Sequence, residues 1–344
     1  MNSYQKFFSA IKFENGEIPV APFLLTFAAR FDKCSYSDYC TDAAKLAHAQ
    51  IVTRNYFEFD YVTVASDAYR EASAFGANVC FPHDDVPYLK EIYLKNLKDS
   101  KHLKISGINN YERLKDRLNA VKILKEKFAY SVPVIGWIES PLAEAGILRG
   151  PSNLMLDLID SGSELKKLIK ICSDVAIEFA IAQIEVGADI MGIGESIASL
   201  ISPGLYREFS LPFIKKMVDE IKKFGVPIKY HTCGNTSHLL SAFLETGVDI
   251  IVIDSPVDLR LAKEVFKNVI CIKGNLNPVD DLLNDTPQSV YKKSINAIKR
   301  GGPEGYILSG GCEIPAATPH NNLFSMIRAT RDMSLSGGKI KHDC

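Results

Sequence analysis

The chain has 344 residues, 47% of them hydrophobic and 24% charged, with a formal net charge of −1. Those values fit a globular protein and give no electrostatic basis for binding nucleic acid or an anionic membrane surface. No apolar run approaches the roughly 20 residues a bilayer-spanning helix needs, and the first residues lack a secretory core and cleavage site, so a cytoplasmic protein is expected. Eight cysteines in a chain this long make no disulfide framework. Cys34, Cys40, Cys80, Cys172, Cys271 and Cys344 are expected to be reduced packing or surface residues.

Residues 1–18 read as a helical lead-in. A first apolar strand is predicted at 19–25 and a second at 61–66. The connection after Ser66 is unusually long, punctuated by Pro82, Asp84, Asp85 and Pro87, and runs into an amphipathic helix at 111–128. Strands at 132–138 and 189–193 bracket a helix at 163–185. A helix at 204–224 precedes strands at 226–230, 249–254 and 269–274. A helix at 286–300 then leads to the last strand, 305–309. The continuous apolar character of these runs suits strands buried on both faces of a parallel sheet. Eight strand–helix alternations over about 300 residues predict a single (β/α)8 TIM barrel spanning 1–344, with the lead-in placed to cap it. A doubly wound sheet is the alternative, but no GxGxxG or Walker motif follows the first strand. In a barrel the long second connection lies over the C-terminal face, where such loops form lids or substrate walls.

Chemistry concentrates at the strand ends. His231 and Cys233 stand two apart at the end of the fifth strand. Side chains at i and i+2 share one face, so an imidazole and a thiol converge. Cys312 follows the eighth strand in a Ser-Gly-Gly-Cys turn. One nitrogen and two sulfurs suit zinc, and three protein ligands leave the open position of a catalytic site. Spacing alone leaves a satisfied core histidine and a buried thiol as equal alternatives. Placement at barrel strand ends, where active sites of this fold sit, favours the metal. Glu195 ends the fourth strand and is a candidate fourth ligand or general base. Asp254 and Asn275 end the sixth and seventh strands as candidates for substrate contact or ligand support. Asp67, Glu139 and Ser255 occupy similar positions; capping the next helix is the plain alternative for each, and at least as good a reading for Asp67 and Ser255. His238 and His320 are expected outside the metal, and Arg149 and Asp157 at the rim.

Several runs resemble the uroporphyrinogen decarboxylase superfamily: YVTVASDAYREASAFGA (61–77), GILRGPSNLMLDL (146–158), ISPGLYREFSLPF (201–213), HTCGNT (231–236), KGNLNP (273–278) and GYILSGGCEIPAATPHNNL (305–323). The resemblance covers roughly residues 1–331 and implies the barrel fold. Its decarboxylase branch needs no metal and grips substrate carboxylates with an arginine-rich motif after the first strand. This chain has LLTFAAR there, with Arg30 alone. The other branch, similar to methylcobamide:coenzyme M methyltransferases, carries HxC and a distant Cys as zinc ligands, a pattern that His231, Cys233 and Cys312 match. The resemblance therefore implies a zinc-dependent methyltransferase. It would move methyl between a corrinoid, carried by a small partner protein, and a small substrate such as a thiol acceptor. Demethylation of a methyl ether or similar donor is the alternative direction, and a metal-free decarboxylase the alternative class.

Overall fold

A computed structural model describes residues 1–14 and 16–335; Cys344 lies outside them. The helix Ser3–Ile11 opens with a capping box. Asn2 Oδ1 accepts from the Gln5 N–H at 2.8 Å, and Gln5 Oε1 accepts from the Asn2 N–H at 3.0 Å, satisfying two otherwise orphaned donors. Nine strands come after it among the described residues: β1 Val62–Thr63, β2 Val79–Cys80, β3 Tyr88–Leu89, β4 Val134–Glu139, β5 Ile190–Glu195, β6 Ile228–Thr232, β7 Ile250–Val252, β8 Cys271–Leu276 and β9 Tyr306–Gly310. Seven form a parallel sheet in the order β1-β4-β5-β6-β7-β8-β9.

Residues 19–23 supply the eighth position. Ala21 N–H donates to Leu308 O, Leu308 N–H to Pro19 O, and Asp60 N–H to Val20 O, so the segment bridges β9 to the start of β1. It pairs through isolated bridges at Val20 and Phe23. Pro19 and Pro22 explain the broken ladder, because neither has an N–H to give. All eight predicted strands are thus present, closed into a ring, and the TIM-barrel expectation holds.

The N-terminal helix caps the base of that ring. Phe7 and Ala10 pack against Ala21, Tyr61, Ile135, Ile190, Ile250, Cys271 and Ile307, the inward residues at the lower ends of the strands. Asp60 fixes the helix there, accepting from Ser3 Oγ at 2.9 Å and from the Val20 N–H at 2.8 Å. Burying Phe7 completely contributes roughly 2–3 kcal/mol.

Two details differ from the predicted elements. The helix expected at 204–224 is two helices, Pro203–Phe209 and Leu211–Lys222, joined at Ser210. Pro212 sits in the first turn of the second, where its missing N–H costs nothing, whereas inside one continuous helix it would remove a hydrogen bond. The long connection after Ser66 carries its own structure. It has a helix Arg70–Phe75, an antiparallel hairpin of β2 with β3, and 3₁₀ turns Leu97–His102 and Ile108–Asn110. Among the described residues no helix is long and apolar enough to cross a membrane.

Candidate metal centre

His231 is the fourth residue of β6 and Cys233 lies just beyond its end. Both project from the inner face at the C-terminal mouth. The Cys233 N–H donates to Glu195 O at 3.3 Å, which holds the loop against β5. Cys312 arrives from β9 through Gly311. A Cβ at Gly311 would lie 2.6 Å from Ser255 N and 2.7 Å from Asp254 Oδ1, so only glycine lets the Cys312 loop close on the loop after β7.

The three ligand atoms converge. Cys233 Sγ lies 3.4 Å from His231 Nε2, Cys312 Sγ lies 3.8 Å from it, and the sulfurs are 4.0 Å apart. A tetrahedral zinc with its usual bond lengths separates two sulfurs by about 3.8 Å and sulfur from nitrogen by about 3.6 Å. The observed triangle matches within a few tenths of an ångström, and the donor set suits zinc. Among the described residues this is the one group of at least three His, Cys, Asp or Glu ligand atoms close enough to hold a metal together. The hydrogen bond between the sulfurs, with a further one from His231, pushes the Cys312 thiol down; the same bond and burial push the Cys233 thiol up.

Asp254 ties both ligand loops together. Its Oδ2 accepts from the Gly234 N–H at 2.9 Å, beside Cys233, and its Oδ1 accepts from the Ser255 N–H at 2.6 Å while packing on Gly311. Asn275 supports it from behind, donating from Nδ2 to Val257 O at 2.7 Å and Asp254 O at 3.4 Å. Partners of this kind, one step removed from a metal, set the geometry of its ligands. Asp254→Ala is expected to weaken zinc retention by about 10–100-fold. Competition against a chromogenic chelator reads this directly, and an unchanged affinity would separate Asp254 from the site.

Glu195 is placed elsewhere. Gly192 and Gly194 face the barrel axis, since a Cβ on them would strike Trp137 and Glu139. Strand alternation therefore turns Glu195 outward. There it is buried and accepts from Ser140 Oγ at 2.7 Å and from the N–H groups of Ile197 at 2.8 Å and Ala198 at 3.2 Å. Burial raises its pKa against those bonds. Its carboxylate shapes the turn after β5 and does not join the His–Cys–Cys group.

The carboxylate that does face the cavity is Glu139, at the end of β4. Its Oε1 accepts from Arg70 and from Trp137 Nε1, each at 2.9 Å, and its Oε2 lies over the bare Cα of Gly194. Burial pushes its pKa up to about 7, with Arg70 opposing and Glu71 reinforcing the rise. Two more groups were hidden in apolar strands. Lys229 and Lys273, both 1% exposed, point inside the barrel beneath the His–Cys–Cys group. Lys229 Nζ sits 4.7 Å from the Trp137 ring centroid, and Lys273 Nζ donates to Ser309 Oγ at 2.9 Å. Burial drives both amines toward the neutral form.

Above these residues opens a cavity of about 310 Å³. His231, Cys233 and Cys312 lie on one side, Phe23 and Trp137 beside them. Asp67, Tyr69, Val86 and Pro87 of the long second connection also line it, as expected of that loop. Asp67 is paired with Arg113 at 2.5 Å and accepts from the Tyr69 N–H at 2.9 Å. Burial would raise its pKa, but Arg113 and Arg70 outweigh that and hold it well below the usual carboxylate range. Of the remaining candidates, His238 bonds Ile201 O at 2.9 Å and His320 packs among Phe27, Phe31 and Phe57. Arg149 pairs with Asp157 at 2.6 Å and holds Leu94 O and Lys95 O. Cys40, Cys172 and Cys271 are buried free thiols, while Cys34 and Cys80 are half-buried.

The fold and the site define a (β/α)8 barrel with a His–Cys–Cys group at its mouth that could hold a metal ion. Residues 4–333 match the uroporphyrinogen decarboxylase (URO-D) family, and the chain belongs to that family. It is 34% identical over 295 residues to a methylcobamide:CoM methyltransferase, MtbA, of Methanosarcina acetivorans, an alignment covering 85% of each chain. It is 31% identical over 198 residues to a uroporphyrinogen decarboxylase of Myxococcus xanthus, covering 56% of each. A solved methyltransferase structure from Methanosarcina mazei superposes with a TM-score of 0.88 at 21% identity, over 97% of this chain and 99% of that one, which fixes the fold.

Proposed function

We propose that this chain is a zinc-dependent methyltransferase that moves a methyl group between a corrinoid and a small substrate, with a thiol as acceptor. The convergence of His231 Nε2, Cys233 Sγ and Cys312 Sγ at the barrel mouth carries this reading. The similarity to methylcobamide:CoM methyltransferases over 85% of the chain supports it.

A free thiol has a pKa near 8.5 and is mostly protonated at neutral pH. Zinc held by the three residues would supply the deprotonation that makes the thiol nucleophilic. The chain's own residues do the rest. His231 and the two cysteines would hold the ion and leave one position toward the cavity. Asp254 and Asn275 fix the two ligand loops at their required separation. Phe23 and Trp137 flank His231, with ring centroids 5.5 and 6.1 Å away, and keep water from that side. The thiolate sulfur would attack the methyl carbon in line; the cobalt–carbon bond breaks and its electron pair stays on cobalt. The corrinoid is too large for a cavity of about 310 Å³ and would approach from above, carried by a separate small protein. We take residues 1–344 as one domain, and the free thiols the site needs fit a reducing compartment such as the cytoplasm.

The decarboxylase alternative is disfavoured by charge. Among the described residues no Lys or Arg lines the cavity, so a substrate bearing many carboxylates would find no cation there. The test combines metal analysis with methylcobalamin spectroscopy. One equivalent of zinc and a thiol-dependent change in the cobalamin spectrum are expected. Less than about half an equivalent would sink the zinc reading, since one site binds one ion. No spectral change with any thiol, alongside demethylation of an ether by reduced corrinoid, would reverse the direction of transfer.

A further inference from the structure

The carboxylates that line the cavity differ in how far other groups satisfy them. Its ionisable lining residues beyond the metal group are Asp67, Glu139, Glu195 and Glu313. Glu195 is turned away into its turn, and Glu313 is taken up by Thr26, whose N–H and Oγ1 both donate to Oε1 at 2.8 and 2.7 Å. Asp67 is shared with Arg113. Glu139 is different. Both its bonds fall on Oε1, and Oε2 accepts no hydrogen bond among the described residues. Its cationic partner, Arg70, is fully buried and also faces Glu71, with Nε 3.7 Å from Glu71 Oε2. One guanidinium is thus divided between two carboxylates. The two lysines nearest the site, Lys229 and Lys273, lie below the cavity and are not part of its lining. The lining carries four aromatic rings, Phe23, Tyr36, Tyr69 and Trp137, alongside the aliphatic Leu25, Val86 and Pro87. Aromatic faces attract cations and repel anions.

We propose that the non-reacting part of the small substrate is neutral or cationic, and that Glu139 together with the aromatic walls selects against an anionic tail. This rests on the thiol-acceptor reading above and narrows it to a thiol without a sulfonate, carboxylate or phosphate group.

Three thiols of equal length separate the cases: 2-aminoethanethiol, 2-mercaptoethanol and 2-mercaptoethanesulfonate (coenzyme M). Trp137 is the single tryptophan of the chain and lines the cavity, so its fluorescence reports binding without turnover. With zinc-loaded protein at pH 8, the aminothiol is expected to bind at least about tenfold more tightly than coenzyme M, because opposite charges at one position meet the same carboxylate a few ångströms away. Glu139→Gln keeps an acceptor for Arg70 and Trp137 and should shrink that ratio by about tenfold. Differences in thiol acidity cancel in the comparison of the two proteins. Tightest binding of coenzyme M by the wild-type protein overturns the proposal, whatever the fate of the variant. An equal ratio in both proteins overturns the role of Glu139. Failure of all three thiols to perturb Trp137 overturns the thiol-acceptor reading itself, and the proposal with it.

Discussion

Replacing Cys312 by alanine is expected to abolish zinc-supported methyl transfer while leaving the barrel folded. The loop that carries Cys312 does not depend on its sulfur for its position. Gly311 N–H donates to Leu276 O, Ile314 N–H donates to Phe23 O, and Glu313 holds Thr26. Those bonds survive the substitution. Without the second sulfur, His231 and Cys233 alone cannot enclose a tetrahedral ion, and the loss should exceed the ~10–100-fold that removing an outer partner costs. Zinc content should fall well below one equivalent, and the methylcobalamin spectrum should no longer respond to thiol. Thermal melting of the metal-free variant should match that of the metal-free parent within a few degrees, as for a change of under about 1 kcal/mol. A metal-free variant melting far lower would make Cys312 a packing residue instead.

The second large effect runs toward greater stability. Lys273 is buried inside the barrel, and burial lowers its pKa from 10.5 to about 7, with Cys312 opposing. An unfolded chain returns that amine to its ordinary value. Between about pH 7 and 10.5 the unfolded state therefore holds a proton that the folded state does not, and wild-type stability rises with pH across that window. Lys273→Met removes the penalty and nearly preserves the volume. Ser309 Oγ keeps its bond to Ala21 O at 3.0 Å, so no polar atom is stranded. In metal-free protein at pH 7 the variant should be more stable by on the order of 3 kcal/mol, after allowing for the lost bond to Ser309. The advantage should be largest below pH 7 and shrink toward zero near pH 10. Urea unfolding at pH 7 and pH 9.5 measures both. A variant no more stable than wild type at pH 7 would show that the amine keeps its charge.

The barrel was legible in the sequence because its strands are continuous apolar runs separated by helical periods, a pattern that survives local irregularity. The convergence of His231 and Cys233 was legible because they share a face by simple alternation. The same alternation was available for Glu195 and points it the other way. Gly192 and Gly194 hold the inward positions of β5, and a carboxylate one residue further on faces the helices. Glu139 follows the inward Trp137 by two residues, so parity places it in the cavity, yet its link to Arg70 spans 69 positions and no local pattern shows it. Lys229 carried a similar signal, two residues before His231 on the same face, and was masked by its apolar neighbours. The first strand kept its apolar pattern, and Pro19 and Pro22 account for its broken ladder. The helix break at Ser210 follows from Pro212, where a periodic pattern alone runs straight through.

The helix Ser3–Ile11 has a consequence for timing. Phe7 fills the base of the ring, and the cavity lies at the other end, where the long second connection contributes to its lining. The corrinoid carrier proposed above, seated over that mouth, would shut in whatever is already inside and shut out whatever is not. On the proposed function, the small molecule would then have to enter first, and its product would have to wait for the carrier to leave. The order of events follows from a plug at the far end of the molecule.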